Sequence, residues 1–587
     1  MTNAGPRVVL ALVAAAAAVP AGAEWLRGYG RTLAGMTIAY HSPYPDITSA
    51  LIVRASDGTS SVEWETEAVP SGWGGRPATF IWLAGLATGK GAHRFELSID
   101  GRAALTFQTS PDSSRREWRE AGADGVALSF RTIMVDQFDE LFGFMTLEVP
   151  AARLRPGRPL RLKVAGEKGG SNDWFMAFED DLRREVWARS EQALVRDEGG
   201  SVRQVVRVGL SHLGPPAKAV VSCPGADTAS LALQMGHNAL EFLVPAVDKD
   251  TPITIEVALD DGSVRRGELV LKPVVPREIW LLPHSHVDIG YSDPQPVVER
   301  KHWRYYGEAI ALAAKTAGYP EGSRFKWNTE QAWAVETYFR QAGEEERKAF
   351  LDAVRSGAIG LQATLAGVLT GLCHPEELIH LTGFARKLGR EAGTAVDSVM
   401  VTDIPGQSWS FVPALALAGV KYVSSGPNYM PSLFDGGDRV GWVLKTWADK
   451  PFYWLSPSGR EKVLFWMAGR GYSWFHGLNM GSLKKAPPYR IIEYMNELAE
   501  KGYPYSMVQV RYTIGGDNGP PDAELADTVR SWNERYASPK IVIATASEMF
   551  AELERRHGAS IPAVRGDLTG YWEDGAASTA RETALSR

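Results

Sequence analysis

His286 and Asp288 stand two residues apart, directly after the apolar run Glu278-Ile279-Trp280-Leu281-Leu282-Pro283. In an extended backbone, residues i and i+2 point to the same side, so an imidazole nitrogen and a carboxylate oxygen can converge on one point. That pair of donors suits a divalent metal, zinc above all. Two further acids follow apolar runs. Asp403 ends the run Ser398-Val399-Met400-Val401-Thr402 and precedes Ile404-Pro405-Gly406. Asp517 follows Met507-Val508-Gln509-Val510-Arg511-Tyr512 by way of Gly515-Gly516. Taken singly, each of these residues is equally at home as a solvated strand end or a turn former. Taken together, two carboxylates beside a His-x-Asp supply what glycoside hydrolysis requires. One acid attacks the anomeric carbon or activates water, and the other protonates the leaving oxygen.

The elements that must position these groups change character near residue 275. Up to that point the chain shows short alternating runs, such as residues 36–40, 93–99, 103–109, 142–149 and 201–210, separated by turn signals such as Asp100-Gly101. This pattern predicts two β-sandwich-like modules, residues 24–115 and 116–275. Lys272-Pro273-Val274-Val275-Pro276 reads as a stiff linker. From residue 276 to 587 helical periodicity alternates with short apolar strands, which predicts an α/β domain with a mainly parallel, incomplete-barrel-like sheet. In such a domain functional side chains gather at the carboxyl ends of strands, where His286, Asp288, Asp403 and Asp517 all fall.

The 587 residues allow several domains. A formal net charge of −6 shows no basic excess that would suit a nucleic-acid partner. Arg7, the apolar stretch 8–19 and Ala21-Gly22-Ala23 form the pattern of a secretory signal peptide ending at residue 23, which predicts a secreted or periplasmic protein. No other stretch is long and apolar enough to predict a membrane span. The 2 cysteines, Cys223 and Cys373, fall in different expected domains and are read as thiols rather than a disulfide framework. Nothing in the sequence fixes an oligomeric state.

The motif His284-Ser285-His286-Val287-Asp288-Ile289-Gly290-Tyr291 resembles the opening of the catalytic domain in the retaining α-mannosidases of glycoside hydrolase family 38. Asp403-Ile404-Pro405-Gly406-Gln407-Ser408 is similar to that family's nucleophile segment, and Gly515-Gly516-Asp517-Asn518 to its acid/base turn. Trp327-Asn328-Thr329-Glu330, Tyr453-Trp454 and Thr545-Ala546-Ser547-Glu548-Met549-Phe550 match further segments in the same order. The resemblance covers residues 277–587. It implies a carbohydrate substrate, Asp403 as nucleophile, Asp517 as acid/base, and a zinc ion on His286, Asp288 and Asp403. The family's fourth ligand is a histidine. The corresponding segment here is Gly566-Asp567-Leu568-Thr569-Gly570-Tyr571-Trp572-Glu573-Asp574, which offers Asp567, or else Asp574, in its place. One histidine with three carboxylates is a harder donor set, open to Zn, Mn or Ca. Tyr291, Glu330, Trp454 and Trp572 are the expected sugar contacts. The family's C-terminal domains would begin where the sequence ends, so the chain is expected to be a truncated form. Two alternatives accompany this reading: a metal-dependent carbohydrate esterase or deacetylase, and a non-catalytic carbohydrate-binding protein.

Overall fold

The computed structural model describes residues 25–39, 47, 49–89, 91–136, 139–179, 186–212, 216–428, 446–477, 480–574 and 579–585. The expected signal peptide lies outside the described residues.

Strands between Trp25 and Phe178 build two packed sheets, of eight and five strands among the described residues. Alternation turns one face of each inward. Ser61–Glu65, for example, buries Val62 and Trp64 and leaves Ser61, Glu63 and Glu65 half-exposed. The shared core holds Trp64, Trp82, Phe95, Phe107, Phe130 and Phe175. The boundary expected at residues 115–116 falls inside this unit, because Arg161–Gly166 pairs with both Ser61–Glu65 and Arg94–Ile99. The sandwich therefore extends to Phe178. A second pair of sheets follows between Trp187 and Leu271, with its own core around Val206, Val208, Phe242, Ile255 and Val257. It is tied to the downstream domain by Tyr536–Ser538, which pairs with Trp187–Arg196. The Asn496 side chain adds a bond at 2.7 Å from the Gln192 backbone N–H. Cys223 and Cys373 are not disulfide-linked.

Beyond residue 277 helices alternate with strands, as the periodicity predicts. Among the described residues the strands of this part, Tyr536–Ser538 apart, form three sheets. Glu278–Pro283 lies between Met507–Tyr512 and Lys540–Ile543, parallel to both. Trp327–Asn328 pairs in parallel with Ile359–Gly360. Ser398–Thr402, Tyr422–Gly426 and Lys462–Met467 run parallel in a five-stranded sheet that Phe452–Leu455 and Ala563–Arg565 complete. Ser398–Thr402, Tyr422–Gly426 and Met507–Tyr512 are buried at every position, polar residues such as Ser424, Gln509 and Arg511 included. Helices are signalled locally. Ala546–His557 starts at Thr545 in a capping box with Glu548 and ends on Arg555, Arg556 and His557, which complement the helix dipole. Among the described residues no helix is long and apolar enough to cross a membrane.

Candidate active site

Glu278–Pro283 delivers His284 and His286 to its carboxyl end, where both side chains are almost fully buried. Glu330 follows the short strand Trp327–Asn328, sits at φ 59°, and is completely buried. Its carboxylate joins the two histidines: Oε2 is 2.7 Å from His284 Nδ1 and Oε1 is 3.0 Å from His286 Nδ1. The Val287 backbone N–H adds a bond to Oε1 at 3.1 Å. Arg511, on Met507–Tyr512, donates from Nε to His284 Nε2 at 3.1 Å and from Nη2 to the Thr402 hydroxyl. Arginine has no acceptor, so His284 Nε2 must accept, and the His284 proton sits on Nδ1, facing Glu330.

The consequences are electrostatic. Burial, then the Arg511 charge, push His284 down to about 4, so it is neutral. Burial raises Glu330, but the His286 charge and the hydrogen bonds from both histidines outweigh it and hold the carboxyl well below the usual range. Burial lowers His286, and the Glu330 charge with the Asp288 contact overcomes that and raises it. Glu330 is thus a buried anion whose hydrogen bonds orient His286, leaving His286 Nε2 pointed away from it.

His286 Nε2 lies 3.3 Å from Asp288 Oδ1 and 4.0 Å from Asp403 Oδ2. The structure therefore brings together the three residues expected around a metal. In a tetrahedral shell with bonds of about 2.1 Å, neighbouring donors are roughly 3.4 Å apart, so this arrangement is more open than a formed shell on the Asp403 side. Among the described residues, no three His, Cys, Asp or Glu side chains close to the spacing of such a shell. Asp288 Oδ2 is buried without a hydrogen-bond partner, a polar atom that a cation would satisfy. Asp403 sits at φ 62°, with its N–H bonded to Gly426 at 3.0 Å. A left-handed non-glycine residue at a strand end is a strained arrangement of the kind found at functional sites. The loop beyond it is tied down at Gly406, where a Cβ would meet the Leu568 carbonyl at 1.9 Å.

Asp517 is carried on Gly515 and Gly516, both at positive φ. Its Oδ1 accepts from the Tyr472 hydroxyl at 3.2 Å and lies 3.5 Å from His476 Nε2. The Tyr472 ring packs on the His286 ring at 4.8 Å between centroids, so one tyrosine bridges the His286 and Asp517 sides of the site. Burial, then Asp403 and Asp517, push the Tyr472 hydroxyl far above its ordinary value and keep it a donor. The buried Asn518 locks the loops together. Its Oδ1 accepts from the Asp288 N–H at 3.2 Å and from His302 Nε2 at 2.9 Å. Its Nδ2 donates to the Asp288 carbonyl at 3.1 Å and to Ser292 at 2.7 Å.

The other expected residues fall elsewhere. Asp567 is exposed and accepts from its neighbour Thr569 and from the Trp409 N–H at 3.3 Å. With Glu573, Ser408 and Trp409 it lines a separate open cavity of about 460 Å³. Its place as a fourth metal ligand is not realised, because that carboxylate closes a local turn. The Asp574 side chain lies outside the described residues. Glu330 is not available to a sugar, since it is sealed between the histidines. Trp454 is not available either: it is fully buried and donates from Nε1 to Gly566 at 2.8 Å. Trp572 is half-buried against the core. Tyr291 is 84% exposed. Sequence reasoning passed over Arg511, Tyr472 and His476. A lone arginine in a buried apolar strand was a usable signal for the first. The aromatic run Tyr472-Ser473-Trp474-Phe475-His476 after the strand Lys462–Met467 was one for the others.

The sequence model of the "Glycosyl hydrolases family 38 N-terminal domain" matches residues 276–573, just over half of the chain. The chain belongs to glycosyl hydrolase family 38. No curated protein sequence matches it. Among solved structures it is similar to an α-mannosidase from Enterococcus faecalis V583, at 14% identity and a TM-score of 0.39 over 50% of this chain and 31% of that one. It is also similar to a 4-α-glucanotransferase from Thermococcus litoralis, at 15% identity and a TM-score of 0.35 over 51% of this chain and 43% of that one. The chain thus spans about a third of the length of the Enterococcus protein.

Proposed function

We propose that this family 38 member is an exported glycoside hydrolase that cleaves α-mannosides or a similar sugar with retention of configuration. The observation that carries the reading is the meeting of Asp403 and Asp517, from two different strand ends, around the His286–Tyr472 pair. Export is supported by the N-terminal sequence pattern.

Asp403 is the nucleophile. Attack on the anomeric carbon gives a glycosyl ester, and Asp517 protonates the departing oxygen. Asp517 then accepts a proton from the water that hydrolyses the ester. Tyr472 holds Asp517 through its hydroxyl, and Asn518 fixes the acid/base loop against the Asp288 loop. Glu330, His284 and Arg511 set the orientation of His286.

The donor chemistry around His286 fits a divalent metal, zinc first and Mn or Ca next, held by His286 Nε2, Asp288 and Asp403. When bound, such an ion polarises and orients sugar hydroxyls. Glu330 on His286 Nδ1 is the carboxylate partner that commonly orients a ligating histidine. The deciding experiment combines elemental analysis of the purified chain with a panel of aryl glycosides. A bound divalent ion and release of phenol from α-mannosides are expected. Glycan binding with no turnover by a metal-loaded chain would overturn the enzyme reading.

A further inference from the structure

Met507–Tyr512, the strand that leads to Asp517, belongs to the three-stranded sheet. Among the described residues no backbone ladder joins it to the five-stranded sheet that carries Asp403. Side chains make the join. Gln509 and Arg511 stand two residues apart and share one side of the strand. Gln509 Oε1 accepts from the Ser424 hydroxyl at 2.5 Å, and Gln509 Nε2 donates to the Trp466 carbonyl at 3.1 Å. The Ser424 hydroxyl has one hydrogen, so toward Arg511 it accepts. Arg511 Nη1 lies 3.2 Å from that hydroxyl oxygen, 3.2 Å from the Ser424 carbonyl and 3.4 Å from the Val401 carbonyl. Nη2 donates to the Thr402 hydroxyl, and Nε to His284. One guanidinium thus reaches Ser398–Thr402, Tyr422–Gly426 and the residue that follows Glu278–Pro283.

Two of those contacts bear on Asp403. Thr402 is its chain neighbour, and the Gly426 carbonyl accepts its N–H. A Cβ on Gly426 would come within 3.1 Å of Arg511 Nη1, so the guanidinium packs directly against the backbone that holds Asp403 at φ 62°. The Arg511 side chain is fully buried, and its ionic partner Glu330 stands 3.9 Å away, beyond hydrogen-bond distance. Taking a guanidinium out of water is costly, and a seam that needed only filling would be served by a leucine or a methionine. What arginine adds is a planar fork of donors that fixes several acceptors at once. We infer that Arg511 is the positioning residue of the nucleophile: it clamps the Asp403 strand end to the strand that leads to Asp517, and so fixes where Asp403 stands against His286. This rests on the glycosidase reading above for its effect on rate, and on the geometry alone for its effect on placement. Gln509 stitches the same seam one step farther from the strand's carboxyl end, with no contact to the Asp403 segment.

The test uses the whole chain, with Arg511→Lys set beside Gln509→Met, and reads melting, steady-state kinetics on an aryl glycoside and crystal structures. Lysine keeps the charge but offers a single point of donation in place of the fork. In Arg511→Lys, kcat should fall about 10²-fold while KM stays within about threefold, the pattern of a reacting group held out of place. Gln509→Met should lower the melting temperature yet leave kcat within about twofold of the parent. Equal losses of kcat in the two variants would make Arg511 a part of the seam and nothing more, and would overturn the inference. Should Arg511→Lys fail to fold, Thr402→Val removes the acceptor beside Asp403 at constant shape. Its kcat should fall about fivefold at unchanged KM, and a parental kcat overturns the inference. Placement is read without turnover. In the crystal structure of Arg511→Lys, the Asp403 carboxylate should shift by about 1 Å against His286, relative to the parent in the same crystal form. A carboxylate left in place overturns the positioning role whatever the activity. A displaced carboxylate in a chain whose parent cleaves no glycoside overturns the glycosidase reading and leaves the positioning role standing.

Discussion

Two glutamates, the half-buried Glu140 in the N-terminal sandwich and the fully buried Glu330 in the α/β domain, respond to burial in opposite directions. Glu140 is pushed up to about 8 by burial and by the neighbouring Asp136 and Asp173, against weaker help from Trp174 and Arg54. Glu330 is more deeply buried, yet it is held below the ordinary range because His286, His284 and the Val287 N–H converge on it. Burial penalises a charge in both places. Around Glu330 the chain has assembled partners that outweigh the penalty, and around Glu140 it has not. A buried acid surrounded by other acids is held neutral, whereas a buried acid surrounded by donors becomes part of a machine that orients other groups.

The largest expected break of this contrast lies at the acids that do chemistry. Asp403→Asn removes the attacking charge at nearly constant volume. Turnover should fall at least about 10⁴-fold, with circular dichroism and melting unchanged. Asp517→Asn should slow alkyl glycosides by roughly 10²–10⁴-fold and activated aryl glycosides much less, as steady-state kinetics on paired substrates would reveal. Equal losses on both would remove Asp517 from the acid/base role.

Next comes Glu330→Gln, which leaves two histidine donors and Arg511 without their shared anion. Unfolding in denaturant should show a loss of about 3–5 kcal/mol. The sign with pH follows from the depressed acid. Its stabilisation is present above the unfolded value near 4.5 and is lost as pH falls. Parent and variant should therefore differ most near neutral pH and converge in acid. A variant as stable as the parent at pH 7 would show that the buried network does not hold the domain together.

The smallest effect is expected at Glu140. Its folded value of about 8 lies above the unfolded 4.5, so the side chain supports the fold below pH 4.5 and progressively less as pH rises toward 8. Glu140→Gln should raise the melting temperature at pH 8 by an amount corresponding to about 1 kcal/mol, after allowance for partial exposure, and leave it unchanged at pH 4. Destabilisation at both values would mean that the Glu140 carboxylate is paired after all.

Much of this arrangement was legible before the fold. Buried parallel strands announce themselves as mainly apolar runs, and His286, Asp288, Asp403 and Asp517 each follow one. Those signals are local. The rest is not. The sandwich boundary was misplaced because Arg161–Gly166 pairs with Ser61–Glu65 about a hundred residues away, and no local pattern carries that register. Glu330 and Trp454 were expected to face a sugar because their segments resemble substrate-side segments of family 38. The fold instead seals one between two histidines and packs the other under a sheet. Asp567 had the right chemistry in the right segment, but a two-residue bond to Thr569 holds it in its own turn. Tyr472 and His476 reach Asp517 from about 40 residues upstream, a convergence that exists only in three dimensions.

The proposed mechanism requires Asp403 as nucleophile and Asp517 as acid/base. Proton NMR of the sugar product immediately after cleavage of an α-glycoside, before mutarotation, reads the outcome directly. Two displacements at the anomeric carbon require the α-anomer to appear first. The β-anomer as the first product would show that Asp403 activates water instead of attacking the sugar, and would contradict the mechanism.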